Sequence, residues 1–242
     1  MTALALHRTD VAGVAVLRPA GTLDLTTYRD LRDGLLECAA DEPTALVVRL
    51  DDGFECATPA FMSVFTTVCQ RVAEWPGVPV LLVAETPGHR RSRAAAAVPR
   101  FTTLTAALAA AERPPDHAPD HRAEIRLPAS LAGGRLARCF VRDACERWVV
   151  AHLVPSAATV ATELVENAVR HARSAPVLRL RLNGRALTIA VCDDDPDPPA
   201  TPAVEPLRPG GRGIMIVSSL SRTWGCYRRP RGGKIVWAVL DG

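Results

Sequence analysis

The sequence predicts an α/β protein of two domains, because β-branched runs alternate with amphipathic helices and a proline-rich stretch interrupts them near the middle. The chain has 242 residues, enough for one large or two modest domains. Hydrophobic residues make up 48% and charged residues 23%, so either half is able to bury a core. Three prolines break the stretch ERPPDHAPDHRAE, which cannot continue a helix. We therefore predict domains at 1–112 and 123–242, joined by a linker at 113–122.

Charge and composition argue against several classes of function. The formal net charge is only +3 and 5% of residues are aromatic, so we expect no direct nucleic-acid partner. No apolar run is long enough to span a bilayer, and His7 and Arg8 arrive before a signal peptide could form its apolar region. The seven cysteines lack the paired spacing of a zinc site and fit buried thiols in a reducing compartment. We expect a cytoplasmic protein with no membrane segment.

The first half alternates strands with helices. The strand VAVLRPAG precedes a helix with Leu31, Leu35 and Leu36 on one face, and the strand TALVVRL follows it. This alternation favours a mainly parallel sheet covered by helices. The predicted strands cover 14–21, 44–50 and 79–85, and the predicted helices cover 26–40, 59–75 and 101–112.

The second half predicts a helical layer over an antiparallel sheet. Two alternating strands over 178–194 are joined by Asn183-Gly184, a strong hairpin signal. The remaining predicted elements are a strand and turn over 123–130, helices over 136–148 and 156–172, a proline-rich loop over 195–213, a short apolar helix over 214–221 and a closing hairpin over 224–240.

Polar residues interrupt the apolar pattern of the helix predicted at 156–172. Glu163 and Asn167 are four residues apart and share a face, with Arg170 and His171 one turn further on. Taken alone, this pattern favours a solvated polar face over a site. Two later segments favour a site: VCDDDPDPP ends a strand in a carboxylate cluster, and RPGGRGIMIV is a glycine-rich turn that opens an apolar helix.

This order of acidic-amide helix, strand ending in Asp and glycine-rich turn resembles the GHKL ATP-binding family of histidine kinases, gyrase-type ATPases and anti-sigma-factor kinases. Glu163, Asn167, Asp193 and the loop 210–213 match its N, G1 and G2 boxes, and the resemblance covers 123–242. With the terminal GGKIVWAVL, the pattern looks most like the actinomycete type of anti-sigma-factor serine/threonine kinase. The resemblance implies a two-layer (Bergerat) α/β sandwich that uses ATP and Mg²⁺.

The residue types suit those roles. Mg²⁺ accepts few hard protein oxygens while it bridges phosphates, so the Asn167 amide is the candidate metal ligand and an ATP-binding residue. A carboxylate one turn away can accept the proton of an attacking hydroxyl, which makes Glu163 the candidate general base. The family match assigns the adenine amino group to Asp193, an acceptor-only carboxylate. The alternative for Asp193 is an ordinary turn residue before proline.

The glycine-rich turn is the candidate phosphate loop. Gly211 and Gly213 allow backbone N–H groups to approach phosphates at a helix N-terminus, and Arg212 adds a charge-assisted contact. The alternative is an ordinary glycine turn. We assign no role to Arg170 and His171, which fit an exposed edge. The chain departs from the family at 194–198, where Asp and Pro replace glycines and predict a stiffer, more acidic loop.

The first half resembles the STAS domain of anti-sigma-factor antagonists over 10–112, through GTLDLTTYRDLRDGLL, ALVVRL and TPAFMSVF. In that family an Asp-Ser-Ser/Thr-Gly turn is phosphorylated by the partner kinase. The matching stretch here is Ala57-Thr58-Pro59-Ala60, so Thr58 is the candidate phosphoacceptor. The pattern favours Thr58 as a helix N-cap, with Pro59 at the first helical position. The first half then looks like a degenerate antagonist-like docking domain.

Three hypotheses follow for the whole chain. The leading one is a cytoplasmic ATP-dependent serine/threonine kinase that acts on an antagonist (STAS) protein in transcription regulation, with a sigma factor as a second candidate partner. A non-catalytic, ATP-binding partner-switching or docking protein is the alternative. A histidine-kinase core is the weakest, because His117 and His121 lie in the predicted linker and no dimerising helical hairpin precedes the ATP-binding half. A second copy of the chain is a further candidate partner.

Overall fold

The computed structural model describes residues 4–90, 95–112, 120–130, 132–172, 174–197, 212–230 and 232–242. The chain divides into two units, Met1–Pro115 and Asp116–Gly242, each with its own sheet and helices. The predicted α/β class is confirmed. In the described ranges no helix has the length and apolar character that crossing a membrane requires.

The sheet of the first unit combines one antiparallel hairpin with parallel strands. Its described strands are β1 (Ala5–Val11), β2 (Val14–Leu23), β3 (Leu46–Leu50), β4 (Phe54–Cys56), β5 (Val80–Ala84) and β6 (Arg100–Phe101). Its described helices are α1 (Tyr28–Ala39), α2 (Ser63–Glu74), α3 (Pro87–Arg90) and α4 (Leu104–Ala111). The order is β1-β2-β3-β5-β6, with β4 beside β2, and only β1 with β2 is antiparallel. The sequence prediction omitted β1, which is an edge strand without a buried face.

The turn that carries Thr58 connects β4 to α2. The single helix predicted over 59–75 is divided, because a 3₁₀ turn at Pro59–Met62 precedes α2. Thr58 has an extended backbone, with φ −143° and ψ 133°, and Pro59 takes the first helical position. This backbone is that of the predicted N-cap, but the Thr58 side chain makes no capping hydrogen bond. The hydroxyl is therefore carried on an exposed turn residue.

The second unit is an antiparallel sheet with helices packed against it. Its described strands are β7 (Asp120–Arg126), β8 (Val177–Asn183), β9 (Ala186–Asp193), β10 (Thr223–Arg228) and β11 (Lys234–Asp241), in the order β10-β11-β9-β8-β7. Its described helices are α5 (Ala132–Arg147), α6 (Val154–Ala172) and α7 (Arg212–Leu220). The prediction of a helical layer on an antiparallel sheet is confirmed.

In the second unit, the start of β7 and the position of the β8–β9 turn differ from the sequence prediction. Strand β7 begins at Asp120, so residues 120–122 pair with β8 although the linker was predicted over 113–122. His121 stacks on Trp148 at 5.8 Å between ring centroids, a contact that no local pattern indicates. The β8–β9 turn is Gly184-Arg185, one residue later than predicted, since Asn183 pairs with Ala186. Gly184 has φ +58° at the first central position, as type II′ turns require.

Helix α6 is fixed by its apolar side. Six of its described small or branched side chains are at most 3% exposed and belong to the core of the second unit. They are Ala157, Val160, Ala161, Leu164, Val165 and Ala168. Because this stripe is buried against the sheet and the neighbouring helices, the rotation of α6 about its axis is set, and with it the direction of the remaining side chains.

Candidate functional site

Glu163 and Asn167 project together from the edge of the buried stripe of α6. Both are half-buried, and each is followed along the chain by a buried core residue, Leu164 and Ala168. A fully solvated polar face would leave both side chains exposed, so the burial favours a site over that interpretation. Arg170 and His171 at the end of the helix are exposed, as expected for residues without a role.

The start of α7 lies directly against this pair. Gly213 is the second residue of α7, and a Cβ placed there would be 2.5 Å from Glu163 Oε2 and 3.4 Å from Asn167 Nδ2. Glycine therefore allows the helix N-terminus to approach the carboxylate more closely than any other residue would. The first N–H groups of a helix have no partner within it and carry its positive end. The structure thus brings together a carboxylate, an amide and a helix N-terminus.

The remaining members of the predicted phosphate loop are located only in part. Arg212 begins α7, while Gly210 and Gly211 lie outside the described residues. Of this loop, the structure shows Gly213 next to Glu163 and Asn167.

Asp193 is the last residue of β9 and is only 4% exposed. Its Oδ1 accepts the backbone N–H of Asp195 at 2.9 Å and lies 3.1 Å from Lys234 Nζ. Burial raises the pKa of Asp193, and the Lys234 ammonium counteracts part of that rise. In contrast, hydrogen bonding to Lys234 lowers the pKa of Asp195. Asp193 is therefore a buried carboxylate that is paired with Lys234.

The loop after Asp193 is tied to itself and to the end of α6. Asp195 Oδ1 accepts the N–H of Asp197 at 3.1 Å, so the side chains of Asp193 and Asp195 each accept from the N–H group two residues further on. The N–H of Asp194 donates to Ser174 Oγ at 3.3 Å, just beyond α6. This contact places Asp193 beside the C-terminal end of that helix.

The predicted residues therefore follow the axis of α6. At 1.5 Å per residue, Asn167 and Glu163 lie about 8 and about 14 Å along the helix from its last residue, Ala172. Asp193, the candidate for the adenine contact, lies near the C-terminal end of α6. Glu163 and Asn167, which Gly213 contacts, lie nearer the middle of the helix. The site is elongated, with a buried acceptor at one end and an amide, a carboxylate and a helix N-terminus at the other.

Lys234 is the residue that sequence reasoning missed. It is the first residue of β11 and pairs in register with Asp193 of β9. The preceding Gly233 has φ +77°, and a Cβ there would overlap the carbonyl oxygen of Asp193, so glycine is required for the two strands to approach. The sequence indicates Lys234 only as a lysine that begins the otherwise apolar run KIVWAVL. A lysine at a solvated strand end gives the same pattern.

The side chains at the site suit a divalent metal that is shared with phosphates, not one held by protein ligands alone. Among the described residues no three or more His, Cys, Asp or Glu side chains are grouped to hold a metal ion. A metal that keeps most of its waters and is shared with phosphates needs as little as one protein oxygen, and the Asn167 amide supplies it. The residues present therefore fit Mg²⁺ bound together with a nucleotide.

Comparison with known proteins identifies the second unit. Residues 127–240 match the family model described as "Histidine kinase-like ATPase domain". The second unit is a histidine kinase-like ATPase domain. The matched range includes Glu163, Asn167, Asp193 and the loop 210–213, and it ends within β11. The predicted GHKL resemblance of this half is therefore confirmed at the level of the family.

Two solved structures are similar to parts of the chain. An anti-sigma factor antagonist from Mycobacterium paratuberculosis is 21% identical with a TM-score of 0.38, over 46% of this chain and 96% of that chain. The RsbU and RsbW domains of a Mycobacterium tuberculosis protein are 19% identical with a TM-score of 0.40, over 51% of this chain and 33% of that chain. No curated protein matches the chain. The assignment of the ATPase domain rests on the family model alone.

Proposed function

We propose that the chain is an ATP-dependent serine/threonine kinase of the anti-sigma type, which phosphorylates an antagonist (STAS) protein in partner-switching regulation of transcription. The observation that carries the proposal is the convergence of Glu163, Asn167 and the start of α7 at Gly213, with buried Asp193 near the C-terminal end of α6. This arrangement suits a nucleotide whose base lies near Asp193 and whose triphosphate lies near Glu163. An ATPase domain supports ATP as that nucleotide.

Asn167 is the proposed protein ligand of Mg²⁺. When bound, the ion supplies positive charge that neutralises the phosphates. The start of α7 acts in the same direction, because its N–H groups and the helix dipole favour an anion at this end. Gly211, Arg212 and Gly213 are proposed to complete the phosphate contacts.

Glu163 is the proposed general base. In this role Glu163 would take the proton from a serine or threonine hydroxyl of the substrate as that oxygen forms its bond to the γ-phosphorus and the bond to the leaving ADP oxygen breaks. The carboxylate is held between the body of α6 and the start of α7, which restricts its position. Positioning of this kind is the main contribution a protein makes to phosphoryl transfer.

The first unit is proposed to be an antagonist-like (STAS) domain at 1–112 that docks partners or regulates the fused kinase. Its sheet combines a hairpin with parallel strands, and the turn after β4 carries the exposed Thr58. Thr58 is a candidate phosphoacceptor, since its side chain is not used in a capping bond. A separate antagonist protein remains the proposed substrate, a sigma factor and a second copy of the chain are proposed as further partners, and the cytoplasm as the compartment.

One observation favours the non-catalytic alternative. The loop 193–197 lacks the glycines of the family pattern, and its Asp side chains bond to its own backbone and to Lys234. A loop so occupied fits a protein that binds ATP only as a regulatory ligand, or one that docks its partners without it.

The two functions are separated by measuring Mg-ATP binding by calorimetry and transfer of labelled γ-phosphate to an antagonist protein, both on the full chain. The kinase proposal expects Asn167→Ala to weaken Mg-ATP binding by about tenfold or more and to abolish transfer, since a metal ligand is lost. Arg170→Ala, on the same helix and exposed, is the matched control and is expected to behave as the wild type. Tight binding without transfer in the wild type supports the non-catalytic protein, and wild-type transfer by Asn167→Ala refutes the assigned site.

A further inference from the structure

The second unit contains an unusual buried ion pair. Within the described part of the chain, the buried polar or charged side chains are Thr27, Thr188, Asp193 and Lys234, so the buried charges are this Asp and this Lys. The Lys234 side chain is 5% exposed and that of Asp193 is 2% exposed. A charge is expensive to bury unless it is paired and hydrogen-bonded, which makes the geometry of this pair informative.

Lys234 meets three acceptors, as many as its ammonium has donors. Nζ lies 3.1 Å from Asp193 Oδ1, 2.9 Å from Asp195 Oδ2 and 3.0 Å from the Asp195 carbonyl oxygen. One contact is to the last residue of β9 and two are to the loop that follows. The lysine therefore fixes the carboxylate and its loop together.

These contacts use one oxygen of Asp193. Its Oδ1 accepts from the Asp195 N–H and faces Lys234, while an ionised carboxylate has lone pairs on both oxygens. The contacts at Oδ1 set the rotation of the carboxylate about its Cβ–Cγ bond and leave Oδ2 to accept from a ligand. A carboxylate oxygen accepts a hydrogen bond from an amino group and repels a carbonyl oxygen. The orientation of Asp193 therefore influences which nucleotide base is bound.

We propose that Lys234 is the positioning residue of the base subsite, which holds Asp193 so that it accepts the 6-amino group of adenine and thereby selects an amino-bearing purine. The inference rests on the proposed function, in which Asp193 contacts the base. Lys234 itself acts through Asp193 and is not placed against the nucleotide. The positive charge of Lys234 also keeps the pKa of Asp193 below the value that burial alone would give, which favours the ionised acceptor.

The test compares ATP with purine riboside triphosphate, which lacks the 6-amino group but carries the same phosphates. Calorimetry on the full chain is expected to show that the wild type prefers ATP by about 10- to 100-fold, the range for a hydrogen bond to a charged group. Lys234→Met is expected to reduce this preference to about threefold or less, and Lys234→Arg to retain most of it. Arg222→Met, which removes the exposed 2.6 Å ion pair to Asp241, is the matched control and should retain the full preference.

If Lys234 has a purely structural role, Lys234→Met lowers the affinity for both nucleotides equally and leaves the ratio of the two affinities unchanged. That result overturns the inference. If Lys234→Met does not fold, Lys234→Gln provides the same test, because its amide is a polar hydrogen-bond donor that carries no charge. A wild type that prefers ATP, loses that preference in Lys234→Met and transfers no phosphate supports the role of Lys234 and refutes only the kinase. A wild type that binds neither nucleotide overturns both.

Discussion

Replacing Gly213 by Ala should displace the proposed general base without damaging the fold. A Cβ at residue 213 would lie 2.5 Å from Glu163 Oε2, whereas ordinary contact begins at 3.4 Å. The carboxylate must then retreat by about 0.9 Å. It is the far end of a flexible side chain, so it can move while the helices stay in place. The Asn167 Nδ2, at 3.4 Å, has no need to move.

Gly213→Ala is expected to slow phosphoryl transfer without lowering the stability of the fold. A displacement of about 1 Å at a reacting group can cost roughly 100-fold, so we expect phosphoryl transfer to fall about 10- to 100-fold, or about 1.4–2.7 kcal/mol in the barrier. Alanine is the better helix former by up to about 1 kcal/mol, so the free energy of unfolding should be unchanged or slightly higher. Affinity for Mg-ATP should stay within about threefold, since Asn167 is not displaced.

The assay is transfer of labelled γ-phosphate to an antagonist protein, with thermal unfolding and calorimetry on the same samples. Gly88→Ala is the matched control, because a Cβ at Gly88 meets nothing within 4 Å. Glu163→Gln should abolish most of the transfer, and adding Gly213→Ala to it should have no further effect if both act on the same carboxylate. Wild-type transfer by Gly213→Ala, or full additivity in the double variant, would refute the reasoning.

Two further predictions concern other parts of the chain. Burial raises the pKa of the Cys226 thiol from 9.0 to about 12, so its neutral form stabilises the folded state below pH 9 and that stabilisation is lost as pH rises towards 12. Urea unfolding at pH 8 and pH 10.5 should therefore show the wild type losing more stability than Cys226→Ala, and equal losses would contradict the raised pKa of the thiol. Thr58→Ala should change the free energy of unfolding by less than about 0.5 kcal/mol, because there is no capping bond to lose. Urea unfolding also measures this effect, and a loss above about 1 kcal/mol would instead support a capping role.

The sequence predicts elements well where a face is buried and poorly where none is. The stripe Val160, Leu164 and Ala168 places α6 because core packing demands a period near 3.6 residues. Strand β1 was missed, since an exposed edge strand has no buried face to impose alternation. The early start of β7 depends on pairing with β8 and on the stacking of His121 against Trp148, which are tertiary contacts.

In the candidate site too, the sequence predicts what helical geometry determines and misses what tertiary packing determines. Helical geometry alone brings Glu163 and Asn167 to one face, because residues four apart are neighbours on a helix. The approach of Gly213 to both side chains depends on how α7 packs against α6, which no local pattern reveals. Lys234 was overlooked for a similar reason, since its pairing with Asp193 arises from the register of two strands that are distant in the chain.

Of the residues that stand after Asp193 in place of glycines, Asp195 takes part in that pairing through Lys234. Glycines in such a loop provide backbone freedom, and here the loop instead has its N–H groups bonded to Asp193 and Asp195 and its acceptors bonded to Lys234. A loop held this way pays its ordering entropy on folding rather than on binding, so proline in it does not oppose ligand binding as it would in a loop that must rearrange. The substitutions and the buried lysine are therefore parts of one arrangement, in which a preformed carboxylate replaces a flexible loop.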